Sequence, residues 1–357
     1  MVGMDHTPRT PAPATPHPAD QAAPWDAVVI GGSAAGLSAA QALGRALRRT
    51  LVIDSGSPRN RFAAQMHNVL GHDGTPPGEL AARGRQEAAR YGVVFREAAV
   101  RTVRDGDGVT GPAGDGAGSP PSVHIELDGG ETVAARAIIV ATGVRDELPA
   151  IPGLAEHWGS GVLHCPYCHG WEERGGRLAV ITTSPLGLHQ AKLLRQWSDE
   201  LTVFTAGLGA LDAETEALLL ARGVRLVAEP VAEVRGDGSR VSAVRTATGE
   251  EYAVDAIFTA SATVPRDGFL DELGLRRTET PGGAPVLAVD AMGRTSHPRI
   301  WAAGNVVTPF ASVPMVMGAG TFAGAAVNAA LVEEDFARAA ALVAAQRSPA
   351  GAEVRDA

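Results

Sequence analysis

The fold of this chain is decided by the stretch Trp25-Asp26-Ala27-Val28-Val29-Ile30-Gly31-Gly32-Ser33-Ala34-Ala35-Gly36. Its apolar run stops at the first glycine, and an Ala-rich, helix-forming sequence follows from Leu37. This order predicts a strand, a glycine turn and a helix. The turn has the pattern G-x-G-x-x-G, with serine in place of the middle glycine, and such a turn holds a pyrophosphate at a helix N-terminus.

Each position of this turn has its own requirement. Gly31 makes the tight turn, residue 33 must be small so that the backbone can approach a pyrophosphate, and Gly36 lets the helix lie close to the strand. We therefore take Gly31, Ser33, Ala35 and Gly36 as candidate dinucleotide contacts. A second apolar run ends at Asp54, where an acidic side chain can accept a hydrogen bond from a ribose hydroxyl. A glycine-rich turn of an unrelated α/β protein is the alternative, which the order of strand, turn, helix, strand and acid disfavours.

The composition is that of an ordinary globular protein and excludes several classes. The chain has 357 residues, 45% of them hydrophobic, which predicts two or three domains. Its formal net charge of -9 argues against nucleic acid or an anionic membrane surface as the main partner. Its 2 cysteines cannot make the disulfide framework of a small secreted domain. No secretory signal is visible, and residues 1–24 have the composition of a disordered tail, so we expect a cytoplasmic protein.

One apolar stretch, Ile300 to Val332, is long enough to cross a bilayer. It contains Pro309, Pro314, several glycines and two asparagines. We therefore predict a buried loop and a small-residue helix from Gly318, and no membrane partner.

The two cysteines lie close together in His164-Cys165-Pro166-Tyr167-Cys168-His169-Gly170. Pro166 suits the first position of a helix, which places Cys165 at the helix N-terminus. The unpaired N–H groups and the helix dipole there favour thiolate over thiol. Cys165 is therefore expected to be the better nucleophile, and Cys168 can close a disulfide with it.

Four interpretations of this pair compete. The string Cys165-x-x-Cys168-His169 matches a c-type haem attachment site, which we disfavour because no export signal is visible and a dinucleotide fingerprint is present. A zinc site with His164 or His169 is disfavoured because a structural zinc site normally needs four ligands and the sequence has no second cysteine pair. An inert pair is the plainest alternative. We prefer a redox dithiol and expect no metal.

Two later runs, Ala137–Gly143 and Arg299–Asn305, are further buried-type strands that end in small residues. With them, the chain resembles the low-molecular-weight thioredoxin reductase family from about residue 25 to residue 332. The resemblance implies an α/β fold with two Rossmann-like dinucleotide-binding domains, and FAD as the cofactor of the first. It adds four candidate FAD contacts, the last of which is aspartate in the family: Thr142, Gly143, Gly304 and Asn305.

The resemblance also implies roles near the cysteines. In this family the second cysteine of the pair faces the flavin and the first exchanges with substrate, so Cys168 is the expected charge-transfer thiol and Cys165 the interchange thiol. The family usually has aspartate next, whereas this chain has His169, which can act as acid and base for thiols near neutral pH. Glu172 is within helical reach of His169 and can orient it. A solvated histidine and a surface or capping glutamate are the alternatives.

The second domain lacks the expected nucleotide contacts. After the strand Leu178–Ile181 the turn is Thr182-Thr183-Ser184-Pro185-Leu186-Gly187, in which only the last glycine remains. Ser184 and Pro185 crowd the place where backbone would meet a pyrophosphate. The next strand, Leu201–Phe204, is followed by neither the acid that NAD needs nor the arginines that NADP needs. We expect a degenerate second site that binds NAD(P)H poorly or not at all.

A dithiol flavoprotein without a nicotinamide donor leaves one direction for electrons, from an external dithiol to the cysteines, then to FAD and O2. The run Cys-Pro-Tyr-Cys-His-Gly-Trp-Glu from Cys165 resembles the dithiol oxidases of bacterial and fungal natural-product pathways, of the gliotoxin and holomycin type. The resemblance implies a small-molecule dithiol as substrate and hydrogen peroxide as a product. An NADPH-dependent thioredoxin or disulfide reductase is the alternative, and a redox-sensing flavoprotein without turnover is a third hypothesis.

The FAD domain is expected to be discontinuous, with the dithiol domain inserted in it. The expected bounds are residues 25–150 and 286–335 for the FAD domain, 151–285 for the dithiol domain, and 336–357 for a C-terminal helix, Phe336 to Arg347, and tail. Residues 104–122 have loop composition and are expected to extend a hairpin of the FAD domain.

The loop from His67 to Gly78 resembles the flavin-side loop of the oxidase subgroup. His67 and His72 are therefore candidates to line the site, although either can simply pack or cap the loop. Many relatives are dimers, so we expect a homodimer.

Overall fold

The computed structural model describes residues 24–106, 122–238 and 240–347, and the structural statements below concern these residues. The predicted N-terminal tail up to residue 23, residues 107–121 of the predicted loop and the predicted tail beyond residue 347 lie outside them. Two largely parallel sheets, each flanked by helices, form the centres of the two halves of the molecule. The predicted thioredoxin reductase-like α/β fold is confirmed.

The strands of the described residues are β1 (Trp25–Ile30), β2 (Thr50–Asp54), β3 (Val94–Glu97), β4 (Val100–Asp105), β5 (Val123–Leu127), β6 (Thr132–Val140), β7 (Val144–Glu147), β8 (Val162–Leu163), β9 (Leu178–Ile181), β10 (Leu201–Phe204), β11 (Arg225–Val227), β12 (Val231–Gly236), β13 (Val241–Thr246), β14 (Glu251–Ala253), β15 (Ala256–Thr259), β16 (Ala262–Pro265), β17 (Arg277–Thr278), β18 (Val286–Leu287) and β19 (Ile300–Ala302). The α-helices are α1 (Ala34–Arg45), α2 (Pro77–Ala89), α3 (Pro166–His169), α4 (Leu186–Leu194), α5 (Ala213–Ala221) and α6 (Val313–Arg347).

The first sheet has the strand order β3-β2-β1-β6-β5-β4, and β19 pairs with the last residues of β6. Its central strand β1 is parallel to β2 and β6, with Ile30 beside Ile53 and Val140. These strands are apolar runs because helices or loops cover both faces of the sheet. On one face α6 lies directly on α1, since a Cβ on Gly320 would overlap the carbonyl oxygen of Ala35.

The second sheet has the order β11-β10-β9-β15-β8, all parallel. The antiparallel sheet β12-β13-β14 packs against it through a shared apolar core. Two antiparallel crossover strands, β7 and β16, carry the chain between the halves. The predicted hairpin is present as the antiparallel pair β4 and β5, on either side of residues 107–121.

The chain returns to the first half earlier than residue 286. The 3-10 helix Gly268–Leu273 buries Leu270 in the core beneath the first sheet, and Arg104 of β4 pairs with Glu272 at 3.0 Å. The segment from Phe269 to Leu275, which we expected in the second domain, therefore packs on the first half, whereas Gly282 lies against Leu186 of the second half. The apolar side chains of this segment enter the core of the first half. Their spacing lacks the alternation of a strand, so the sequence does not show where the segment packs.

The C-terminal region also differs from expectation. α6 begins at Val313 and continues to Arg347, so the helix predicted from Gly318 and the helix predicted from Phe336 are one. Buried Arg136 of β6 bonds Asp335 at 2.6 Å, which holds the helix to the sheet at the predicted break. The part from Val313 to Ala344 is long and apolar enough to cross a membrane by length and composition, a test that core helices of soluble proteins also pass.

Candidate functional site: two nucleotide turns and a disulfide

The first glycine turn has a shape that only glycine allows. Gly31 has a φ of +107°, and a Cβ there would overlap the carbonyl oxygen of Ala141. A Cβ on Gly36 would overlap the carbonyl oxygen of Gly31, so α1 rests on the turn itself. Ser33 is the N-cap of α1, and its side chain makes no capping hydrogen bond. The first N–H groups of α1 therefore keep the unpaired arrangement that binds phosphate.

Asp54 lies beside this turn. A Cβ on Gly32 would stand 2.8 Å from the Asp54 carboxyl carbon, so the acid and the turn are in direct contact. Arg85 of α2 reaches Asp54 Oδ2 at 3.3 Å. The other carboxylate oxygen remains available to accept from a ribose hydroxyl.

The ends of β6 and β19 complete the surroundings of the turn. The hydroxyl of Thr142 is buried without a hydrogen-bond partner. Gly143, with a φ of +67°, lies where a Cβ would be 3.9 Å from Asn305 Cβ. Gly304 packs on Ala35, whose side chain is buried, so only the backbone of Ala35 can face a ligand. Since a buried hydroxyl normally has a partner, Thr142 fits a site built for a bound group.

The side chain of Asn305 is engaged elsewhere. Its Nδ2 donates to the carbonyl oxygens of Thr308, Pro309 and Ala311 at 3.0, 3.2 and 3.0 Å. The amide nitrogen of Asn305 is therefore bound to the protein's own loop, and the flavin contact of this residue stays a prediction.

The dithiol follows β8. Cys165 and Cys168 form a disulfide with their Cα atoms 5.3 Å apart. Cys165 is the N-cap of α3, with Pro166 at its first position, as the sequence predicts. The Cys168 N–H donates to the Cys165 carbonyl oxygen at 3.1 Å, which closes the turn on which both sulfurs sit.

Glu172 lies between two histidines of different segments. Its Oε1 is 3.5 Å from Nε2 of His67, and Nδ1 of His67 is 3.4 Å from the carboxylate of Asp73. Burial lowers the pKa of His169, while the Cys165 carbonyl and the Glu172 carboxylate oppose the shift. Nδ1 of His169 is buried without a partner. Glu172 therefore contacts His67 of the loop from His67 to Gly78, a link that the sequence did not indicate.

His72, the other histidine of that loop, lies near the N-terminus of α1. It lines a cavity of about 100 Å³ together with Ser33, Gln41 and Met317, beside the first glycine turn. Its Nδ1 is buried without a partner.

Three residues that the sequence analysis missed form a buried cluster at the junction of the halves. Arg59 donates to both carboxylate oxygens of Asp146 at 2.9 and 2.6 Å, and the Ser261 hydroxyl donates to Asp146 at 2.6 Å. Burial by itself would raise the pKa of Asp146, but the bonds from Arg59 and Ser261 hold it below its ordinary value. The partners are far apart along the chain, so no local pattern could reveal them.

His164 lies next to this cluster. Burial and the nearby Arg59 cation lower its pKa to about 4, although Asp146 opposes the shift. Its ring is parallel to that of Phe310 within 12°, with the centroids 6.2 Å apart, and Trp158 meets it edge-on at 6.5 Å. A neutral His164 therefore stands beside the disulfide at neutral pH.

The second turn is filled by the protein's own atoms. The buried Thr182 hydroxyl donates to the Phe204 carbonyl oxygen at 2.7 Å, and a Cβ on Gly207 would overlap the Thr182 carbonyl oxygen. Residues 280–284 lie over the turn, because a Cβ on Gly282 would be 3.0 Å from the Leu186 side chain and 3.6 Å from the Ser184 hydroxyl. Little backbone remains open to a pyrophosphate.

Residues 25–330 match the family model described as pyridine nucleotide-disulphide oxidoreductase. The chain belongs to this family. Thioredoxin reductase tcpT of Claviceps purpurea is 32% identical over 316 residues, which cover 87% of this chain and 95% of the relative. Thioredoxin reductase sirT of Leptosphaeria maculans is 29% identical, covering 88% and 96%.

Solved structures agree with the curated relatives. The crystal structure of HlmI is 40% identical to this chain, with a TM-score of 0.83 and coverage of 90% of this chain and 97% of the other. An oxidoreductase from Agrobacterium tumefaciens is 39% identical, with a TM-score of 0.78 and coverage of 87% and 99%. The predicted kinship with thioredoxin reductase-like enzymes is confirmed, and the protein is an oxidoreductase of thiol and disulfide groups.

Proposed function

We propose that this family member is an FAD-dependent dithiol oxidase, which forms a disulfide in a small-molecule dithiol and passes the electrons to O2. The observation that carries the proposal is the contrast between the nucleotide turns. The first is an open glycine turn with an unpaired hydroxyl beside it, whereas the second is filled by Thr182 and covered by residues 280–284.

The residues around the first turn fit FAD. The α1 N-terminus after Gly31 and Ser33 suits its pyrophosphate, Asp54 suits a ribose, and the unpaired Thr142 hydroxyl suits a polar group farther along. FAD, when bound, accepts two electrons from a dithiol and can return them to O2, giving hydrogen peroxide.

The exchange at the cysteines balances within the protein and its substrate. A substrate thiolate attacks Cys165, the Cys165–Cys168 bond breaks, and Cys168 leaves as a thiolate. The second substrate thiol then displaces Cys165 from the mixed disulfide. One S–S bond has formed in the substrate, the protein has gained two electrons, and both substrate protons have been released. Neutral His169, beside the Cys165 carbonyl and Glu172, is suited to accept one of these protons.

The proposal includes a cytoplasmic homodimer. Three exposed side chains, Met315, Phe322 and Phe336, are spaced by multiples of seven residues and share one face of α6. An apolar stripe of this kind supports an interface with a second copy.

The oxidase proposal is tested by following oxygen, peroxide and thiols together during turnover of dithiothreitol. We expect one peroxide per dithiol consumed, and a loss of at least about a hundredfold in both Cys165→Ser and Cys168→Ser. Thr321→Ser, on the exposed side of α6, is the control and should match the parent.

The reductase alternative gains weight from the names of the relatives. It predicts the opposite stoichiometry, with NADPH consumed and a disulfide substrate reduced. NADPH-driven reduction of a disulfide at rates above the dithiol-driven oxygen uptake would overturn the oxidase proposal.

A further inference from the structure

The loop after Asn305 is held by an amide that can be oriented in only one way. All three partners of the Asn305 side chain are carbonyl oxygens, which only accept, so the NH2 group must face Thr308, Pro309 and Ala311. An aspartate at this position has no donor to offer and would set a negative charge against three carbonyl oxygens.

The same loop is anchored from the other side by Arg59. Its Nη1 donates to the Pro309 carbonyl oxygen at 2.7 Å, while its other nitrogens bond Asp146 of the crossover strand β7. The backbone around Pro309 is thus tied both to the end of β19 and to the junction of the two halves.

The residue presented by this loop is Phe310. Its side chain is 44% exposed although it stacks on His164, the residue that precedes Cys165. Phe62 is 49% exposed and its backbone and Cβ lie against Gly159, next to Trp158. Aromatic side chains from both halves, Phe310 and Trp158, therefore lie against His164, the residue next to Cys165.

We propose that Asn305 is a positioning residue that holds Phe310 as one wall of the dithiol cleft, and that Phe310 selects dithiols bearing a flat apolar group. This inference rests on the proposed oxidase function. A flat group beside the thiols would bury the exposed face of Phe310, which favours it over a small polar dithiol.

The test compares flavin reduction by 1,2-benzenedimethanethiol and by dithiothreitol without oxygen. We expect Phe310→Ala to lower kcat/KM for the aromatic dithiol about tenfold, mainly through KM, with dithiothreitol changed by less than about twofold. Asn305→Asp should reproduce this selectivity loss while retaining its FAD content and a single cooperative unfolding transition, with a melting temperature lowered by the lost loop hydrogen bonds. Asn328→Asp in α6 keeps the oxygen that accepts from Arg48 and serves as the control.

Two outcomes overturn the inference. If both variants keep the parent's preference between the two dithiols, Phe310 does not select the substrate. If Asn305→Asp loses FAD, or changes both dithiols equally, Asn305 acts on the cofactor or the fold instead. If neither dithiol reduces the flavin of the parent protein, the proposed function itself is refuted. This result differs from one in which the parent flavin is reduced and the variants behave like the parent.

Discussion

The turn between β1 and α1 and the turn between β9 and α4 occupy equivalent places in the two halves of the molecule. In the first, glycines bring backbone to backbone and the N-cap Ser33 leaves the helix N–H groups unpaired. In the second, Thr182 bonds the next strand and Thr183 bonds the Ala260 carbonyl oxygen at 2.7 Å. A strand-turn-helix unit therefore keeps its fold without a nucleotide when side chains satisfy the turn.

Gly36→Ala is expected to have the largest effect, because it disrupts the turn between β1 and α1. The added Cβ overlaps the Gly31 carbonyl oxygen, so α1 must move off the turn that would hold the pyrophosphate. We expect loss of bound FAD and about 2–4 kcal/mol less stability, measured by flavin content and urea unfolding.

Gly78→Ala is the matched control, because nothing lies within 4 Å of a Cβ there. It should keep its flavin and its stability. A Gly36→Ala protein with full flavin content would show that the first turn is not the cofactor site.

His164 tests how the two halves are joined, because it is buried where the second half meets the first. Its folded pKa of about 4 lies below the ordinary value of 6.5, so the unfolded chain binds more protons between these values. Stability from neutral His164 is complete above about pH 6.5 and is lost as the pH falls towards 4. We expect this loss to be about 3 kcal/mol.

Urea unfolding of the parent and of His164→Asn at pH 7.5 and 4.5 isolates the effect, since other groups cancel in the difference. The free energy of unfolding of the variant should decrease less between pH 7.5 and pH 4.5 than that of the parent. An equal decrease in the free energy of unfolding of both proteins would mean that His164 titrates normally.

The smallest expected effect comes from reopening the second turn. Ser184→Gly with Pro185→Ala returns small residues to the turn but leaves residues 280–284 above it and supplies no arginine after β10. We expect no measurable NADPH binding by calorimetry. Binding in the micromolar range would show that these two residues alone close the site.

Much of the fold could be predicted because its signals are local. Fully buried runs such as β1 and β9, and a glycine turn between strand and helix, are recognisable without a partner segment. The short helix behind Cys165 was likewise indicated by Pro166. The continuous α6 was not, because the contact of Asp335 with Arg136 joins distant segments.

The candidate site divides in the same way. The cysteine pair and the first turn carry their chemistry in adjacent residues, whereas Arg59, Asp146 and Ser261 meet only through folding. The hydrogen bonds of the Asn305 amide to its own loop depend on the path of that loop, which sequence spacing does not define. The burial of Leu270 beneath the first sheet likewise depends on tertiary packing, which the local sequence does not show.

Electrons are proposed to enter this protein from a dithiol and not from a nicotinamide. The most direct test is the flavin absorbance of the holoprotein without oxygen, after mixing with dithiothreitol in one sample and NADPH in another. We expect rapid bleaching with dithiothreitol, recovery when air is admitted, and an unchanged spectrum with NADPH. Rapid bleaching by NADPH alone would contradict it.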